Sequence, residues 1–149
     1  VIIHPQSIVH SIVQFADGSM KAQMGLPDMK LPILYALTAP NRLKTGFKRF
    51  RFEEVSRLTF EQTDPERFPN LAMAYEAMRS EGNMTCVMNA ANEVAVEAFL
   101  DEKIAFLQMS ELVEKAMQKI SYIASPTLED YIQTDDETRV FTRSLISKK

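Results

Sequence analysis

The chain has 149 residues, of which 46% are hydrophobic and 25% are charged, and its formal net charge is −3. This composition excludes an intrinsically disordered chain, because the apolar content is high for so small a net charge. The uninterrupted apolar runs are only a few residues long, which excludes a membrane-spanning helix, and the single cysteine, Cys86, excludes an internal disulfide and a multi-cysteine zinc site.

The start of the chain lacks methionine and lies inside an apolar run, so we expect a piece of a longer protein. It carries no secretory pattern, and a single cysteine fits a reducing compartment, which predicts a cytoplasmic location. The charge divides unevenly, with a balance of +4 over residues 1–60 and −7 over residues 61–149. We therefore expect two structural units joined near residues 40–63.

The first unit has the pattern of a β-hairpin. Residues 8–15 are rich in β-branched side chains, and residues 20–24 alternate apolar and polar. The Asp17-Gly18 step between them is a strong hairpin signal. Pro32 then predicts the start of a short helix over 33–37, which Pro40 ends. Residues 41–63 show no sustained period and are predicted to form an extended connector.

The second unit, residues 64–149, is predicted to contain four amphipathic helices. Pro69 suits the start of the first, with Leu71, Tyr75 and Met78 on one face, and the second covers about 85–100. Ser110 is the expected N-cap of the third, and Thr134 with Glu137 forms a capping box for the fourth. The expected apolar positions of the last three helices are Val87, Ala91, Val94, Ala98, Leu112, Ala116, Ile120, Val140, Phe141 and Leu145. Four methionines are also expected in the core: Met73, Met78, Met84 and Met88. The predicted class is α+β, with short antiparallel strands followed by a connector and a four-helix bundle.

The densest polar segment is residues 4–11, His-Pro-Gln-Ser-Ile-Val-His-Ser, which contains both histidines of the chain. It suits a pocket rim at which a histidine donates or accepts a proton, although each imidazole could equally be a hydrogen-bonded residue of a sheet. Six strand residues place His4 and His10 about 20 Å apart, which disfavours a shared metal ion. Ser7 and His10 have opposite strand parity, so both face one pocket only if the backbone turns or bulges between them.

Two further kinds of site are disfavoured. The four glycines are too far apart to form a dinucleotide fingerprint or a P-loop. Basic residues of the connector alternate with aromatic ones, a pattern found on nucleic-acid surfaces, but the sequence pI of about 5.4 favours a solvated loop anchored by its aromatics. We expect no nucleic-acid or membrane partner. The residues concerned are Arg42, Lys44, Lys48, Arg49, Arg51, Phe47, Phe50 and Phe52.

Several of these strings, in this order and spacing, resemble the 1-deoxy-D-xylulose 5-phosphate reductoisomerase family. They are residues 4–11, Asp17-Gly18-Ser19, residues 23–29 (Gln-Met-Gly-Leu-Pro-Asp-Met), Arg67-Phe68-Pro69, and residues 89–100, which begin Asn-Ala-Ala-Asn-Glu-Val. The resemblance implies an NADPH-dependent enzyme that needs Mg²⁺ or Mn²⁺, acts as a homodimer and converts 1-deoxy-D-xylulose 5-phosphate to 2-C-methyl-D-erythritol 4-phosphate in non-mevalonate isoprenoid biosynthesis. It also implies that residues 1–40 are the end of a central catalytic domain, 41–63 the connector and 64–149 a C-terminal helical bundle.

The resemblance assigns roles to four residues. Ser7 contacts the polar middle of the substrate, and His10 is catalytic, lying near substrate and metal and orienting a water or hydroxyl without ligating the ion. Pro27 and Met29 form an apolar contact near the nicotinamide, and Met29 also contacts the substrate. No metal ligand is expected in this chain.

Other residues of the matching strings are expected to be structural. His4 is interpreted as hydrogen-bonded and not catalytic, and Asn89, Asn92 and Glu93 are interpreted as helix-packing and hydrogen-bonding residues. By itself the chain is expected to bind neither NADPH nor metal and to be inactive. An alternative is a structural and dimerisation module that associates through the strands near residues 8–25.

Overall fold

The computed structural model describes residues 1–146 and contains two compact units, residues 1–63 and the described residues from 64 onward. Within the described residues, unit 1 contains a two-stranded antiparallel sheet and one helix, and unit 2 contains four helices. The predicted α+β class is confirmed. In the described part of the chain, no helix has both the length and the apolarity needed to cross a membrane.

The sheet of unit 1 is a hairpin of β1, Val9–Gln14, and β2, Met20–Met24. Its turn forms because the Asp17 carboxylate accepts hydrogen bonds from the backbone N–H of Ser19 at 2.9 Å and from its hydroxyl at 2.6 Å. Gly18 has φ of +86°, a conformation that glycine adopts without steric cost. The predicted hairpin is therefore confirmed.

Helix α1 follows as Lys30–Thr38 and is longer than the expected 33–37. The backbone N–H of Lys30 donates to Asp28 Oδ1 at 2.9 Å, so the start of the helix is stabilised before the proline is reached. Pro32 lies within the first turn, where its missing N–H costs no helical hydrogen bond.

The segment that contains His4 is not part of β1, contrary to the expectation of a single strand over residues 4–11. Ile3 instead forms an isolated antiparallel bridge with Glu61. Gln6 and Thr59 exchange two hydrogen bonds, from Gln6 Nε2 to the Thr59 hydroxyl at 2.8 Å and from the Thr59 N–H to Gln6 Oε1 at 3.0 Å. The strand-based distance between the two histidines therefore does not apply.

Unit 2 contains α2 (Pro69–Ser80), α3 (Met84–Leu100), α4 (Phe106–Lys119) and α5 (Leu128–Ile146). Helix α3 provides much of the core, and its four predicted apolar positions are all buried. Leu112 and Ala116 of α4 are buried as predicted, and Ile120 packs against the same core. The two core clusters are Met73, Val87, Ala91, Val113 and Ala116, and Ala95, Met109 and Leu112.

The predicted inward face of α2 is wrong. Tyr75 is 40% exposed and Met78 is 67% exposed, whereas Met73 and Ala77 are buried. Apolar residues occur on several sides of this helix, so periodicity alone could not select the side that packs against the rest of the unit.

The predicted starts of α4 and α5 are both too late. Helix α4 begins at Phe106, where the Gln108 side chain accepts a hydrogen bond from the Ala105 N–H at 2.8 Å. Helix α5 begins at Leu128 with a capping box in which the Thr127 N–H donates to Asp130 Oδ2 and the Asp130 N–H donates to the Thr127 hydroxyl. The box predicted at Thr134 and Glu137 therefore does not exist.

The buried face of α5 explains that error. It consists of Thr134, Thr138 and Thr142, and the latter two hydroxyls donate to the carbonyl oxygen four residues earlier. Val140, which the hydropathy pattern placed in the core, is 67% exposed. A buried face made of threonine gives a weak hydropathy signal, so the start of this helix could not be located from apolar spacing.

Candidate functional site

A cavity of about 550 Å³ lies within unit 1, between the open end of the hairpin and helix α1. Its volume falls in the range usual for small-molecule sites. The wall is mainly apolar with a few polar groups. It is formed by Ser7, His10, Gln23, Gly25, Leu26, Pro27, Asp28, Met29, Leu31, Pro32, Tyr35, Ala36 and Arg42.

Ser7 reaches this cavity through a turn. Its backbone has φ of +50°, in the left-handed region, and its N–H donates to the His4 carbonyl at 3.0 Å. Ile8, which follows, is only 3% exposed and anchors the chain, and its carbonyl accepts from the Gly25 N–H at 2.9 Å. The turn therefore brings the Ser7 side chain to the cavity just before β1 begins.

His10 reaches the same cavity through a β-bulge. Val9 pairs with Met24 and Ser11 pairs with Gln23, so His10 is the extra residue that has no partner on β2. An inserted residue of this kind turns its side chain away from the alternation of the strand. The sequence argument that Ser7 and His10 can share a pocket only through a turn or bulge is confirmed, since the structure contains both.

The ring of His10 is held by a hydrogen bond to the backbone. Its Nε2 lies 3.2 Å from the carbonyl oxygen of Gly25. A carbonyl can only accept, so Nε2 carries the proton. In the neutral ring, Nδ1 is then the acceptor and is available to a hydroxyl or water in the cavity.

Pro27 and Met29 lie in the loop between β2 and α1. The Asp28 N–H donates to the Leu26 carbonyl at 2.8 Å, which turns the loop, and Met29 is 68% exposed. Pro27 and Met29 therefore present an apolar surface to the cavity. The four residues assigned from the resemblance are brought together, while their individual roles remain predictions.

His4 has structural contacts and is absent from the cavity wall. Its Nδ1 donates to the Thr59 carbonyl at 2.8 Å, and its ring stacks on Phe60 with a centroid distance of 4.7 Å. These contacts hold the first segment against residues 59–61.

Asn89 and Glu93 make the kind of hydrogen bonds that the sequence predicted. Asn89 Nδ2 donates to Glu93 Oε1 at 3.1 Å, and Glu93 forms an ion pair with Arg139 of α5 at 2.5 Å. The Arg139 guanidinium, followed by the Asn89 amide, lowers the pKa of Glu93. These contacts join α3 to α5. Asn92 is partly buried on α3.

Cys86 is half-buried on α3, with Sγ 3.6 Å from the Tyr131 carbonyl oxygen. Burial and the nearby Asp135 carboxylate raise the pKa of its thiol. The thiol is therefore protonated at neutral pH and is a poor nucleophile.

Sequence reasoning missed Arg42 and Tyr35 as cavity residues. Arg42 was interpreted as one of several solvated basic residues of the connector, and Tyr35 was not singled out within the predicted helix over 33–37. Neither residue lies in a recognisable motif. Their proximity depends on how the chain turns after α1, which the sequence pattern does not show.

Among residues 1–146, no group of three or more histidine, cysteine, aspartate and glutamate side chains is arranged to hold a metal ion. Asp28, the carboxylate on the cavity wall, lies 3.5 Å from Lys30 Nζ. The described residues therefore do not by themselves form a site for a divalent cation.

Comparison with known proteins shows the family. Residues 24–141 match the family described as "DXP reductoisomerase C-terminal domain". The chain belongs to the DXP reductoisomerase family. This stretch begins at the last residue of β2 and covers α1 and most of the helical unit.

Curated relatives of the family match almost the whole chain. A 1-deoxy-D-xylulose 5-phosphate reductoisomerase from Phocaeicola vulgatus is 56% identical over 147 residues, and one from Bacteroides fragilis is 53% identical over 148. Each match covers 99% of this chain and 38% of the relative. The chain thus spans well under half the length of these reductoisomerases.

Solved reductoisomerase structures have the same fold over this region. The enzyme from Zymomonas mobilis in complex with NADPH superposes with a TM-score of 0.88 and 43% identity, covering 99% of this chain and 39% of that one. A reductoisomerase in complex with NADPH, fosmidomycin and magnesium gives a TM-score of 0.90 and 34% identity, covering 98% of this chain and 38% of that one. The α+β arrangement is thus a family property.

Proposed function

We propose that this chain forms one wall of the active site of a 1-deoxy-D-xylulose 5-phosphate reductoisomerase. The enzyme would be cytoplasmic and homodimeric, and would convert that substrate to 2-C-methyl-D-erythritol 4-phosphate with NADPH and Mg²⁺ or Mn²⁺. The observation that carries the proposal is the convergence of Ser7, His10, Pro27 and Met29 on one cavity in a chain of this family.

His10 is the proposed catalytic residue of this wall. Its Nε2–H donates to the Gly25 carbonyl, which orients the ring and leaves Nδ1 as the nitrogen that can accept a hydrogen bond from a ligand. A substrate hydroxyl, or a water next to it, would donate to Nδ1, and this would hold the hydroxyl proton at a defined point while the carbon skeleton rearranges.

Ser7 supplies a second polar contact to the substrate. Its hydroxyl can donate and accept at once, which suits the polar middle of a sugar phosphate. The turn fixes the backbone at Ser7 and the bulge fixes it at His10, so the hydroxyl of Ser7 and the ring of His10 form a preorganised pair.

Pro27 and Met29 would contact the nicotinamide. NADPH, when bound, supplies the hydride that reduces the rearranged aldehyde. An apolar wall excludes water from this step, and a thioether packs well against an aromatic ring. The phosphate-binding glycines of a nucleotide site are absent from the sequence, so most of the NADPH contacts must come from residues outside this chain.

A second candidate function is a structural and dimerisation module. It is favoured by the apolar residues that the hairpin exposes: Ile12 is 43%, Val13 57%, Phe15 45% and Met20 62% exposed. A two-stranded sheet with exposed apolar residues can pair with another copy of itself. This function is compatible with the first, because a homodimeric enzyme needs both.

The proposed function is tested by substrate-dependent NADPH oxidation. A full-length reductoisomerase that carries these 149 residues should consume NADPH only when 1-deoxy-D-xylulose 5-phosphate and Mg²⁺ or Mn²⁺ are present. The isolated chain should consume none. Failure of the full-length protein to turn over would contradict the proposal. Steady turnover by the isolated chain would contradict the view that most of the NADPH contacts come from residues outside it.

A further inference from the structure

Arg42 is held in place on the wall of the cavity in unit 1. Its guanidinium carbon lies 4.2 Å from the centroid of the Tyr35 ring, a cation–π contact. The turn before it is fixed by Thr38, whose carbonyl accepts from the Asn41 N–H at 2.9 Å and whose hydroxyl lies 3.0 Å from the Asn41 carbonyl oxygen. The side chain is therefore held against Tyr35 of α1, while Arg42 as a whole stays exposed to solvent.

The charge of Arg42 is not neutralised within the described part of the chain. Among residues 1–146, no carboxylate lies within ion-pair distance of its guanidinium. The other formally charged residue of the cavity wall is Asp28, and it is already paired with Lys30 at 3.5 Å. As far as residues 1–146 are concerned, the cavity thus has a positive charge on one part of its wall that no ion pair compensates.

This arrangement suits an anionic ligand group. A guanidinium presents its N–H donors as a planar fork that matches two oxygens of a phosphate, and contact with an aromatic ring orders that fork before binding. Ser7, His10 and Gln23 provide neutral polar contacts on the same wall. A ligand with hydroxyl or carbonyl groups and one phosphate group would complement this set of residues.

We propose that Arg42 binds a phosphate group of the ligand in this cavity, and that Tyr35 positions it. The inference rests on the proposed function, under which both the substrate and the nicotinamide cofactor are phosphate esters. A phosphate of either one provides the chemistry that Arg42 recognises, and the two sources are separated by measuring the two ligands independently.

The test uses a full-length reductoisomerase that carries this chain. Arg42→Gln removes the charge, and Lys44→Gln, at an exposed connector residue two positions later, is the charge-matched control. The Kd for NADPH is measured by isothermal titration calorimetry without substrate, and the KM for the sugar-phosphate substrate is measured at saturating NADPH. Loss of a charge-assisted hydrogen bond should raise one constant by about 10-fold to 100-fold.

Which constant rises identifies the source of the phosphate. A higher Kd for NADPH assigns Arg42 to the cofactor, and a higher KM with unchanged Kd assigns it to the substrate. Lys44→Gln should change neither. Arg42→Lys keeps the charge and loses the planar fork, so its affected constant should lie between those of wild type and Arg42→Gln. If circular dichroism shows that Arg42→Gln is misfolded, Arg42→Lys takes its place in the experiment.

The failure of this inference differs from failure of the proposed function. If wild type turns over and neither constant changes in Arg42→Gln or Arg42→Lys, the inference about Arg42 is wrong and the proposed function stands. If Lys44→Gln changes the Kd or the KM as much as Arg42→Gln does, the inference about Arg42 is also wrong, since the effect would then come from the loss of any nearby positive charge. If wild type does not turn over, the proposed function is wrong, and the inference that depends on it falls too.

Discussion

His10 and Gly25 face each other across the open end of the hairpin, with His10 Nε2 3.2 Å from the Gly25 carbonyl oxygen. The bulge at His10 is what allows this contact, because a regularly paired residue would continue the strand alternation. A backbone carbonyl thus determines which ring nitrogen is available to a ligand.

Replacing His10 should weaken catalysis without unfolding the protein. In the full-length enzyme, His10→Gln should lower kcat/KM by about 10-fold to 100-fold, since an unmet polar contact costs roughly 1–3 kcal/mol. Ser11→Ala, at the neighbouring exposed position of β1, is the control and should stay near wild type. An unchanged kcat/KM in His10→Gln would return His10 to a purely structural role.

Two substitutions at Ser7 separate its hydroxyl from its backbone. Ser7→Ala and Ser7→Gly both remove the hydroxyl and should raise the KM for the substrate to a similar extent, corresponding to about 1–3 kcal/mol. Because φ at Ser7 is +50°, the glycine variant should be more stable than the alanine variant by about 0.5–1 kcal/mol. Urea denaturation of the 149-residue chain measures the stabilities, and equal stabilities would contradict the left-handed turn.

Acid should weaken the contact between α3 and α5 through Glu93. The Arg139 guanidinium lowers the pKa of Glu93 in the folded state, so the folded chain binds this proton less readily than the unfolded chain. The contribution of ionised Glu93 to the stability of the folded chain is present above the ordinary glutamate pKa of 4.5, and it is lost as the pH falls through the lowered pKa. The Tm difference between wild type and Glu93→Gln should therefore shrink as the pH is lowered from about 7 to about 3.

The control for this experiment is Glu111→Gln, at an exposed glutamate of α4. Its Tm difference from wild type should stay nearly constant over the same pH range. A Glu93→Gln difference that does not change with pH would show that the ion pair contributes nothing to stability, as many exposed pairs do.

Asn83 should be the most sensitive polar residue of the helical unit. It is fully buried; its Nδ2 donates to the Ser121 carbonyl at 3.0 Å and the Thr134 hydroxyl at 3.2 Å, and its Oδ1 accepts from the Ile123 N–H at 2.9 Å. Asn83→Ala removes the partner of the buried Thr134 hydroxyl and of the partly buried Ile123 N–H, and leaving a buried polar group unpaired costs roughly 1–3 kcal/mol. Chemical denaturation should show a loss of at least about 2 kcal/mol, against well under about 1 kcal/mol for Asn89→Ala on the surface of α3.

The exposed hairpin should mediate self-association. If the strands pair between copies, sedimentation velocity should show a dimer for wild type and a monomer for Ile12→Lys, because a charge in an apolar interface is costly. Val140→Lys adds the same charge at an exposed apolar position of α5 and should sediment as wild type does. A wild type that stays monomeric at high concentration would exclude the dimerisation module for the isolated chain.

The order and type of the main elements could be predicted from the amino-acid sequence. Local signals are sufficient for this: the Asp17-Gly18 turn specifies the hairpin, and the spacing of Val87, Ala91, Val94 and Ala98 specifies the buried face of α3. The strings around residues 4–11 and 89–100 also indicated the family, since motifs are read from residue identity alone, and relatives that match 99% of the chain confirm it.

Where the hydropathy signal is weak or occurs on several sides of a helix, the buried face became known only from the folded chain. The inward residues of α5 are threonines, and they fit because Thr138 and Thr142 bond to their own helix while Thr134 accepts from Asn83. Arg42 reached the cavity for a similar reason: a turn after α1 brings it next to Tyr35. Both arrangements depend on contacts that form only when the chain folds, and a local pattern of residues carries no information about which distant groups will meet.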